Sequence, residues 1–397
     1  MLVASCAGVV FGAGMKVLFV QYGDFGEAYR RFKDGGAETY RDQQRSVDYV
    51  ASLAPLHAVT VMAIGDAPSE QALAANLRAV TVRLSDVGWR GSAAILNREK
   101  PDVVIIRVPH LPFLLRLRLR RVLSLPCLAD IFAPTPLKSR LRNRMLGLVL
   151  GSRVFPCVAN HSLNASHSVA KELRYPMNRV VAWDWSRIEP IATAKSGPFD
   201  AKAPTAFFAG AMSVEKGVRD CLEAIVHAGA LGIKLSVTFA GPGDLDYWAA
   251  EAARLGVDGQ TRFLGMVPNS DVKEMMHAHD MVIVPSRHNY AEGLPNTIYE
   301  ALASRTPLIV SDHPAFRGRL DVGSQCLEFA AADPAQLAAQ IARLVRSPDL
   351  YAALSANSVM ALDQLYFGIE WQDLISYFLQ DPGNETGWVA KHAISAA

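Results

Sequence analysis

Short runs of apolar residues, many of them β-branched, alternate along the chain with longer amphipathic stretches. The runs predict strands and the stretches predict helices. In the first half the predicted strands are KVLFVQY (16–22), AVTVMAI (58–64), PDVVIIRV (101–108), VFPCVAN (154–160) and RVVAWDW (179–185), and the clearest helix is AETYRDQQRSVDYVASLA (37–54). Strands that alternate with helices predict a parallel sheet covered by helices.

The same alternation restarts after residues 190–204, whose Pro, Ala, Ser and Lys content is typical of a linker. The second set of predicted strands is TAFFAGA (205–211), KLSVTFAG (234–241), TRFLGMV (261–267), MVIVPS (281–286) and PLIVSD (307–312), each followed by an amphipathic stretch. We therefore expect an α/β protein with two Rossmann-like, doubly wound parallel-sheet domains, at 15–190 and 205–365. Residues 366–397 are expected to form a C-terminal helical segment.

Composition supports a globular chain with a large core, because half of its 397 residues are apolar. No apolar run reaches the roughly 18 residues that a bilayer span requires. The apolar residues 1–14 lack the basic residues that open a secretory signal, and we expect them to precede the native start. Five scattered cysteines without C-x-x-C spacing argue against a disulfide framework or a zinc site. We therefore expect a cytoplasmic protein.

Charge is unevenly distributed between the two halves. Residues 1–198 contain 26 lysines and arginines against 15 acids, a net charge of +11, and residues 199–397 contain 14 against 23, a net charge of −9. The basic excess includes Arg116, Arg118, Arg120, Arg121, Lys138, Arg140, Arg142 and Arg144. Two interpretations stay open: a surface that docks on the inner face of an anionic membrane, through Arg116–Arg121 and Lys138–Arg144, or a solvated face. The stretch lacks the aromatic pattern of RNA-binding modules, so no nucleic-acid partner is expected.

The segment EGLPNTIYE (292–300) combines two acids with the start of a predicted helix. A proline at the first helical position is favoured, and the free backbone N–H groups of Gly293, Leu294 and Asn296 there form an anion site. Glu292 and Glu300 would repel a phosphate unless they face neutral hydroxyl groups of the same ligand, such as a sugar and a ribose. Taken alone, the two acids are better explained as a capping carboxylate and an ordinary surface acid of the helix than as ligand-binding groups.

Other segments upstream carry related chemistry. In FAGAMSVEKGVRDCLEA (207–223), Lys216 stands at the entry of a helix, where it can reach a diphosphate. Gly210 and Gly241 stand at strand exits, and Val267 follows LG in FLGMV (263–267). In this order and spacing the set resembles the C-terminal domain of family 4 glycosyltransferases, which are retaining, nucleotide-sugar-dependent enzymes of the two-domain GT-B architecture. The resemblance covers residues 205–320 strongly and KVLFVQYGDF…GGAE (16–38) weakly.

This resemblance implies a role for each matching residue. Glu292 would contact the donor sugar, Glu300 the ribose and Val267 the base. Lys216 would neutralise the departing diphosphate. The remaining predicted donor-binding positions are Gly210, Gly241, Gly293, Leu294, Asn296 and, in the N-terminal domain across a cleft, Gly35 and Gly36. The C-terminal helix, within FGIEWQDLISYFL (367–379), would cross back to pack on the N-terminal domain.

The chain departs from the family pattern at three places. Ala211 stands where members carry a diphosphate-binding arginine, and Arg287 or Arg317 is a candidate replacement. Ala129 stands where a histidine is common, so the adjacent Asp130 is expected either to orient the sugar or acceptor or to cap the next segment. At the end of the predicted helix 295–304, where members have glycine, a left-handed Arg305 would carry strain of order 1 kcal/mol.

The resemblance implies a retaining glycosyltransferase that moves a sugar from a nucleoside-diphosphate donor to an acceptor hydroxyl, in polysaccharide or glycolipid assembly. We expect Glu292, Lys216 and Asp130 to take part in catalysis and no metal to be needed, since Lys216 and helix amides can stabilise the leaving diphosphate. Asp244 and Asp246 imitate a D-x-D metal motif, but they follow GPG and open a helix, which favours a cap. Two alternatives stay open: a nucleotide-sugar-binding partner subunit with little catalysis, and an epimerase or hydrolase of the same fold.

Overall fold

A computed structural model of the chain describes residues 14–132, 137–290 and 293–395. The chain forms two compact units. Of the described residues, the first unit contains 14–36, 42–185 and 368–395, and the second contains 37–41 and 186–367. Both units are α/β, and the predicted fold class is confirmed in each of them.

The first unit is built on a nine-stranded sheet with the order β15-β8-β7-β6-β5-β1-β2-β4-β3. Its strands are β1 (Lys16–Tyr22), β2 (Ala58–Ile64), β3 (Ser69–Ala74), β4 (Leu77–Val82), β5 (Val103–Ile106), β6 (Leu123–Leu128), β7 (Val158–His161), β8 (Val180–Asp184) and β15 (Ile369–Glu370). All neighbouring strands are parallel except β3, which runs antiparallel to β4. The central strands are buried on both sides, as helices on both faces require.

Helices surround this sheet and share its core. They are α1 (Phe25–Lys33), α2 (Gln43–Ser52), α3 (Trp89–Glu99), α4 (Leu111–Arg120), α5 (Leu137–Leu150), α6 (Leu163–Glu172), α13 (Trp371–Gln380) and α14 (Trp388–His392). The C-terminal helix α13 buries Trp371, Leu374 and Phe378 in the same core as β1 and β2. The chain from Gly368 onward thus belongs to the first unit, together with β15, which pairs with β8.

The second unit has a six-stranded, fully parallel sheet with the order β11-β10-β9-β12-β13-β14. Its strands are β9 (Thr205–Ala209), β10 (Ser236–Ala240), β11 (Thr261–Phe263), β12 (Met281–Val284), β13 (Leu308–Ser311) and β14 (Leu327–Phe329). Its helices are α7 (Val218–Ala230), α8 (Leu245–Arg254), α9 (Asn269–His277), α10 (Asn296–Ala303), α11 (Pro334–Val345) and α12 (Pro348–Leu365). From β9 to β11 the strands are added toward one edge of the sheet, and from β12 to β14 they are added toward the other. The boundary between β9 and β12 is therefore the switch point of a doubly wound fold.

Two sequence predictions are wrong in detail. The helix predicted for 37–54 begins only at Gln43. Residues 37–41 belong instead to the second unit, where the backbone N–H of Asn269 donates a 3.0 Å hydrogen bond to the Glu38 carbonyl. Residues 190–204 are not a free linker. Three backbone N–H groups tie them to the second unit: Ile191 to the Ala303 carbonyl at 2.8 Å, Lys195 to Ser355 Oγ at 2.8 Å and Phe199 to Asp280 Oδ1 at 2.6 Å.

Arg305, just after the end of α10, has the left-handed backbone conformation considered from the sequence. The helix ends at Ala303, and Arg305 takes a left-handed φ of 60° without being glycine. Its side chain compensates in part, because Nε donates a 3.1 Å hydrogen bond to the Ser355 carbonyl. The strain of order 1 kcal/mol expected there is consistent with this φ.

Candidate functional site

The carboxyl ends of β9, β10 and β11 surround a pocket of about 350 Å³ in the second unit. Ligands of doubly wound sheets bind at this edge, next to the switch point. Five of the predicted donor-binding residues line the pocket: Gly210, Gly241, Val267, Asn296 and Glu300. The structure therefore brings together residues that lie up to 90 positions apart in the sequence.

Glycine is required at one of these strand exits. Gly241 has a φ of 141°, and a Cβ built there would lie 2.0 Å from the Gly210 carbonyl oxygen. The Gly210 amide in turn donates a 2.9 Å hydrogen bond to the Ala240 carbonyl. A side chain at position 241 would push the β9 and β10 exits apart, which explains the glycine at this position.

Glu300 is the acid among the described residues that line the pocket, and only 7% of its surface is exposed. Its Oε1 accepts a 2.6 Å hydrogen bond from the Asn269 side-chain amide. Burial raises the Glu300 pKa, while the Asn269 hydrogen bond and the positive charge of Arg41 act in the opposite direction. The carboxylate is thus desolvated but supported by one donor and one cation, an arrangement suited to accepting hydroxyl groups of a ligand.

Asn269 and Arg41 were not predicted from the sequence. Asn269 is the first residue of α9, and it contacts both Glu300 and the backbone of Glu38. Arg41 is 5% exposed, and its guanidinium carbon lies 4.5 Å from the centroid of the Tyr299 ring. No local pattern marks either residue, because both act through contacts between segments distant in the sequence.

The anion site is predicted at the amino terminus of α10, which the structure describes from Gly293 onward. Asn296 is its first residue, and Thr297 Oγ1 donates a 3.1 Å hydrogen bond to the Ala209 carbonyl, which fixes the helix to the end of β9. Leu294 is buried and Gly293 is half-buried. Among the described residues Asn296 Oδ1 has no hydrogen-bond partner although it is buried at the pocket. Glu292 lies outside the described residues.

Lys216 lies at the switch point, in the loop between β9 and α7, and is only 6% exposed. Its Nζ is 3.3 Å from Ser286 Oγ and 4.9 Å from the centroid of the Tyr290 ring. Both partners follow β12, so Lys216 faces the loop that leads to α10. The structure places this cation where the sequence predicts it, at the amino-terminal side of the helix that starts with Val218.

The candidate replacements for the missing arginine at Ala211 both have acidic partners. Arg287 makes a bidentate contact with the buried Asp220, with Nε at 2.9 Å and Nη2 at 2.5 Å from the two carboxylate oxygens. This contact raises the Arg287 pKa and occupies the fork that a phosphate would need. Arg317 is exposed and lies 3.7 Å from Asp312. Neither arginine lines the pocket beside Glu300.

Three predicted site residues belong to the first unit. Asp130 is exposed and follows the end of β6, where its carbonyl accepts a 2.8 Å hydrogen bond from Asn160 Nδ2. Gly35 and Gly36 follow α1, and the left-handed φ of 77° at Gly35 ends that helix. The identity of Gly35 is therefore explained by helix termination, and the roles predicted for these three residues stay predictions.

The basic stretch predicted around residues 116–144 forms neighbouring helices, because α4 and α5 pack against each other. Leu114 and Leu117 of α4 are core residues, so only part of the leucine pattern is available to a partner. Large apolar side chains exposed on α4 and α5 are Leu119, Leu141, Met145 and Leu148, with 60%, 64%, 46% and 74% of their surfaces exposed. We call these four residues, with the exposed Arg118, Arg120, Arg121, Lys138, Arg140, Arg142 and Arg144, the basic face.

Two further features of the described residues concern metal ions and membranes. No group of three or more His, Cys, Asp or Glu side chains in 14–132, 137–290 and 293–395 is arranged to hold a metal ion. None of the helices within these ranges combines the length and the apolar character needed to cross a bilayer. Cys127, Cys157, Cys221 and Cys326 are free and buried.

Comparison with known proteins identifies the second unit most clearly. Residues 192–359 match the family model described as "Glycosyl transferases group 1". A glycogen synthase of Mycobacterium tuberculosis is 27% identical over 181 residues, which are 44% of this chain and 42% of that protein. The 2-deoxystreptamine glucosyltransferase of Streptomyces kanamyceticus is 28% identical over 42% of this chain and 40% of its own length. The matches therefore span less than half the length of these curated relatives.

Solved structures match nearly the whole fold at low sequence identity. HepE of Anabaena, in complex with UDP, superposes with a TM-score of 0.64 at 14% identity and covers 88% of this chain and 96% of its own. The sucrose-phosphate synthase of Thermosynechococcus elongatus has a TM-score of 0.63 at 14% identity, with 96% of this chain and 100% of its own covered. At this identity the likeness establishes a shared fold.

Proposed function

We propose that this chain, which has the GT-B fold and whose residues 192–359 match the glycosyl transferases group 1 family, is a glycosyltransferase that moves a sugar from a nucleoside-diphosphate donor to an acceptor hydroxyl with retained configuration. The predicted fold is confirmed, and the match of residues 192–359 to a glycosyltransferase family model supports the predicted family. One observation carries the proposed activity: five residues predicted to bind the donor line a single pocket in the second unit.

The nucleoside of the donor is proposed to occupy this pocket. Glu300 accepts hydrogen bonds from the ribose hydroxyls, and Asn269 holds its carboxylate through the 2.6 Å contact. Val267 lines the pocket at the exit of β11 and would lie beside the base. A uridine-diphosphate sugar is the first donor to test, because HepE, which shares this fold, has been solved in complex with UDP and with UDP-glucose.

The diphosphate is proposed to lie between Lys216 and the amino terminus of α10. Backbone N–H groups and the dipole of a helix favour negative charge at that end. Lys216 is nearly buried, so its charge is weakly screened and acts strongly on the departing phosphate. Because these groups supply positive charge at the leaving group, we propose that transfer proceeds without a metal ion.

The catalytic roles of Glu292 and Asp130 remain part of this proposal. Glu292 would contact the donor sugar, and Asp130 would orient the sugar or the acceptor. No side chain among the described residues of the pocket is arranged as a general base for the acceptor hydroxyl, so the leaving phosphate is proposed to take that proton. The acceptor is proposed to be a glycan or a lipid-linked glycan, and no nucleic-acid partner is proposed.

The experiment is a transfer assay that follows both products. Purified protein is incubated with UDP-, GDP- and ADP-sugars, with and without EDTA, and with lipid extracts or glycans as acceptors. We expect one donor to be consumed with release of its nucleoside diphosphate, a product whose anomeric configuration by NMR equals that of the donor, and no loss of rate with EDTA. An inverted product, or metal dependence, would contradict the proposed mechanism.

The same assay separates the alternatives. A partner subunit with little catalysis, suggested by Ala211 and Ala129, would bind a nucleotide sugar without turning it over under any acceptor. An epimerase or hydrolase would consume the donor without a transferred product. The transferase is proposed over the silent subunit because Lys216, a nearly buried cation, is retained in the loop between β9 and α7.

The basic face of α4 and α5 is proposed to dock on anionic lipid at the cytoplasmic side of a membrane. It combines exposed arginines with exposed leucines, the two groups that an interfacial surface requires. Each basic residue near an anionic surface contributes about 1 kcal/mol, so the face has enough charge for stable but salt-sensitive association. Docking there would hold the enzyme close to a lipid-linked acceptor.

Vesicle flotation tests this part. We expect binding to vesicles of phosphatidylcholine that also contain anionic phosphatidylglycerol, no binding to pure phosphatidylcholine vesicles, and release at high salt. Replacing Arg140 and Arg144 by glutamate should abolish flotation, while Arg343→Glu, an exposed site in the second unit, should not. Flotation that survives both changes and high salt would contradict docking through this face.

A further inference from the structure

The segment 37–41 lies in the second unit although the chain on both sides of it, Gly36 and Asp42, lies in the first. We call residues 37–41 the strap. Three of them, Thr39, Tyr40 and Arg41, line the pocket beside Glu300. The nucleoside pocket thus lies within the second unit, and part of its lining comes from the five-residue strap, which is far from the rest of that unit in the sequence.

The strap is held in place by specific contacts. The backbone N–H of Asn269 donates a 3.0 Å hydrogen bond to the Glu38 carbonyl. Arg41 Nη2 donates to the Ser186 carbonyl at 3.2 Å, and its guanidinium lies over the Tyr299 ring at 4.5 Å. Burying a guanidinium is costly unless it is paired, hydrogen-bonded or stacked, so these contacts explain why the strap stays at the pocket.

Arg41 also affects the pKa of Glu300, the acid that lines the pocket. Tyr299, which stacks with Arg41, directly precedes Glu300 on α10. The charge of Arg41 opposes the effect of burial on the Glu300 pKa, together with the hydrogen bond from Asn269. An ionised carboxylate accepts through both oxygens, whereas a protonated one replaces an acceptor with a donor.

We propose that Arg41 is a positioning residue of the donor site, which keeps the Glu300 carboxylate available to accept hydrogen bonds from the vicinal hydroxyl pair of the donor's ribose. The inference rests on the proposed function, because it requires a nucleoside in this pocket. It assigns a role in ribonucleotide recognition to the strap, a segment outside the family match at 192–359.

The experiment measures nucleotide binding by calorimetry. The probe is whichever of UDP, GDP and ADP the wild type binds most tightly, together with its 2′-deoxy analogue. Arg41→Met removes the charge and keeps the length, and Arg41→Lys restores the charge. Arg187→Met is the matched control, because Arg187 also lies over an aromatic ring, Tyr366 at 4.9 Å, but is exposed and paired with Asp363.

We expect Arg41→Met to weaken the ribonucleotide about tenfold, the loss typical of a charge-assisted contact, and the 2′-deoxy analogue much less. Arg41→Lys should recover part of the affinity, and Arg187→Met should bind like the wild type. In a Glu300→Gln background, Arg41→Met should cause no further loss, since residues that act as a unit are not additive.

The outcomes separate this inference from the proposed function. A wild type that binds none of the three nucleotides overturns both. A wild type that binds, with Arg41→Met equal to it, overturns the role of Arg41 alone. Equal losses for the ribo and deoxy forms, or a full tenfold loss in the Glu300→Gln background, would show that Arg41 only supports the fold. If Arg41→Met does not fold, Arg41→Gln, which also removes the charge, provides the same comparison.

Discussion

The Asn269 side-chain amide donates a 2.6 Å hydrogen bond to the Glu300 carboxylate, and it does so from the first residue of the neighbouring helix α9. The backbone of the same asparagine donates to the Glu38 carbonyl. One residue therefore fixes the orientation of the buried acid and the position of the strap. Supporting contacts of this kind decide whether a binding group is held in a productive geometry.

Replacing this asparagine should weaken donor binding. Hydrogen bonds to a charged group contribute about 1.5–3 kcal/mol, so we expect Asn269→Ala to raise the nucleotide Kd roughly tenfold. Asn269→Asp should bind still more weakly, because a second carboxylate would repel Glu300 and raise the pKa values of the pair. Calorimetry measures both. Asn357→Ala is the control, since that amide bonds to the Ser324 carbonyl away from the pocket; equal Kd values for all three variants would exclude a role for Asn269.

Glu300 should reduce the stability of the fold that holds it. Burial raises its pKa, so the folded protein binds this proton up to a higher pH than the unfolded chain, whose carboxyl titrates near 4.5. Stability is therefore lost as pH rises from about 4.5 through the raised folded pKa. We expect Glu300→Gln to have a larger free energy of unfolding than the wild type at pH 8, and the same value below pH 4.5.

Urea unfolding at several pH values measures this difference. Glu274→Gln, on the exposed side of α9, should show no such pH-dependent gain. If Glu300→Gln is less stable than the wild type at pH 8, the ionised carboxylate stabilises the fold. It would then not be a binding group whose burial lowers the free energy of unfolding.

Lys216 should act mainly on the chemical step. Removing one group that stabilises developing charge lowers kcat by about 10²–10³-fold, and we expect this for Lys216→Met, with Lys216→Arg partly active. Steady-state kinetics with the donor found in the transfer assay measure the effect. Lys234→Met, an exposed lysine of the same unit, should leave kcat unchanged. A rise in KM alone would place Lys216 in ground-state binding only.

Ala211 offers a gain-of-function test. The resemblance to family 4 glycosyltransferases implies a diphosphate-binding arginine at this position, and the candidate replacement Arg287 is paired with Asp220. Ala211→Arg should therefore tighten nucleoside-diphosphate binding by up to about tenfold, while Ala211→Met, of similar length without charge, should not. Comparison of the two Kd values with that of the nucleoside alone locates the gain at the phosphates. No gain, or an equal gain for the nucleoside, would mean that position 211 does not face the diphosphate.

The part of the site that the sequence predicts is the part encoded by local order. Glu300 and Val267 are identified through the resemblance of the ordered motifs to family 4 glycosyltransferases, and the doubly wound order explains why the segments that carry them meet at one edge of the sheet. Gly241 is predictable for the same reason, and the structure adds the cause, a carbonyl 2.0 Å from where its Cβ would be.

Arg41 shows what local order does not contain. Residues 37–54 have an amphipathic pattern that predicts one helix, yet α2 starts at Gln43 because the strap is anchored to the second unit. The contacts that override the pattern come from Asn269, Ser186 and Tyr299, which are far from Arg41 in the chain. Such contacts outweigh helix propensity, which is a weak preference per residue.

Binding of nucleoside diphosphates to the wild type and to Glu300→Ala tests the central claim most directly. We predict that the wild type binds at least one of UDP, GDP and ADP by calorimetry, that Glu300→Ala weakens this binding by more than about tenfold, and that Glu274→Ala binds like the wild type. A wild type that binds none of the three, or a Glu300→Ala variant that binds as tightly as the wild type, would contradict a nucleotide site in this pocket.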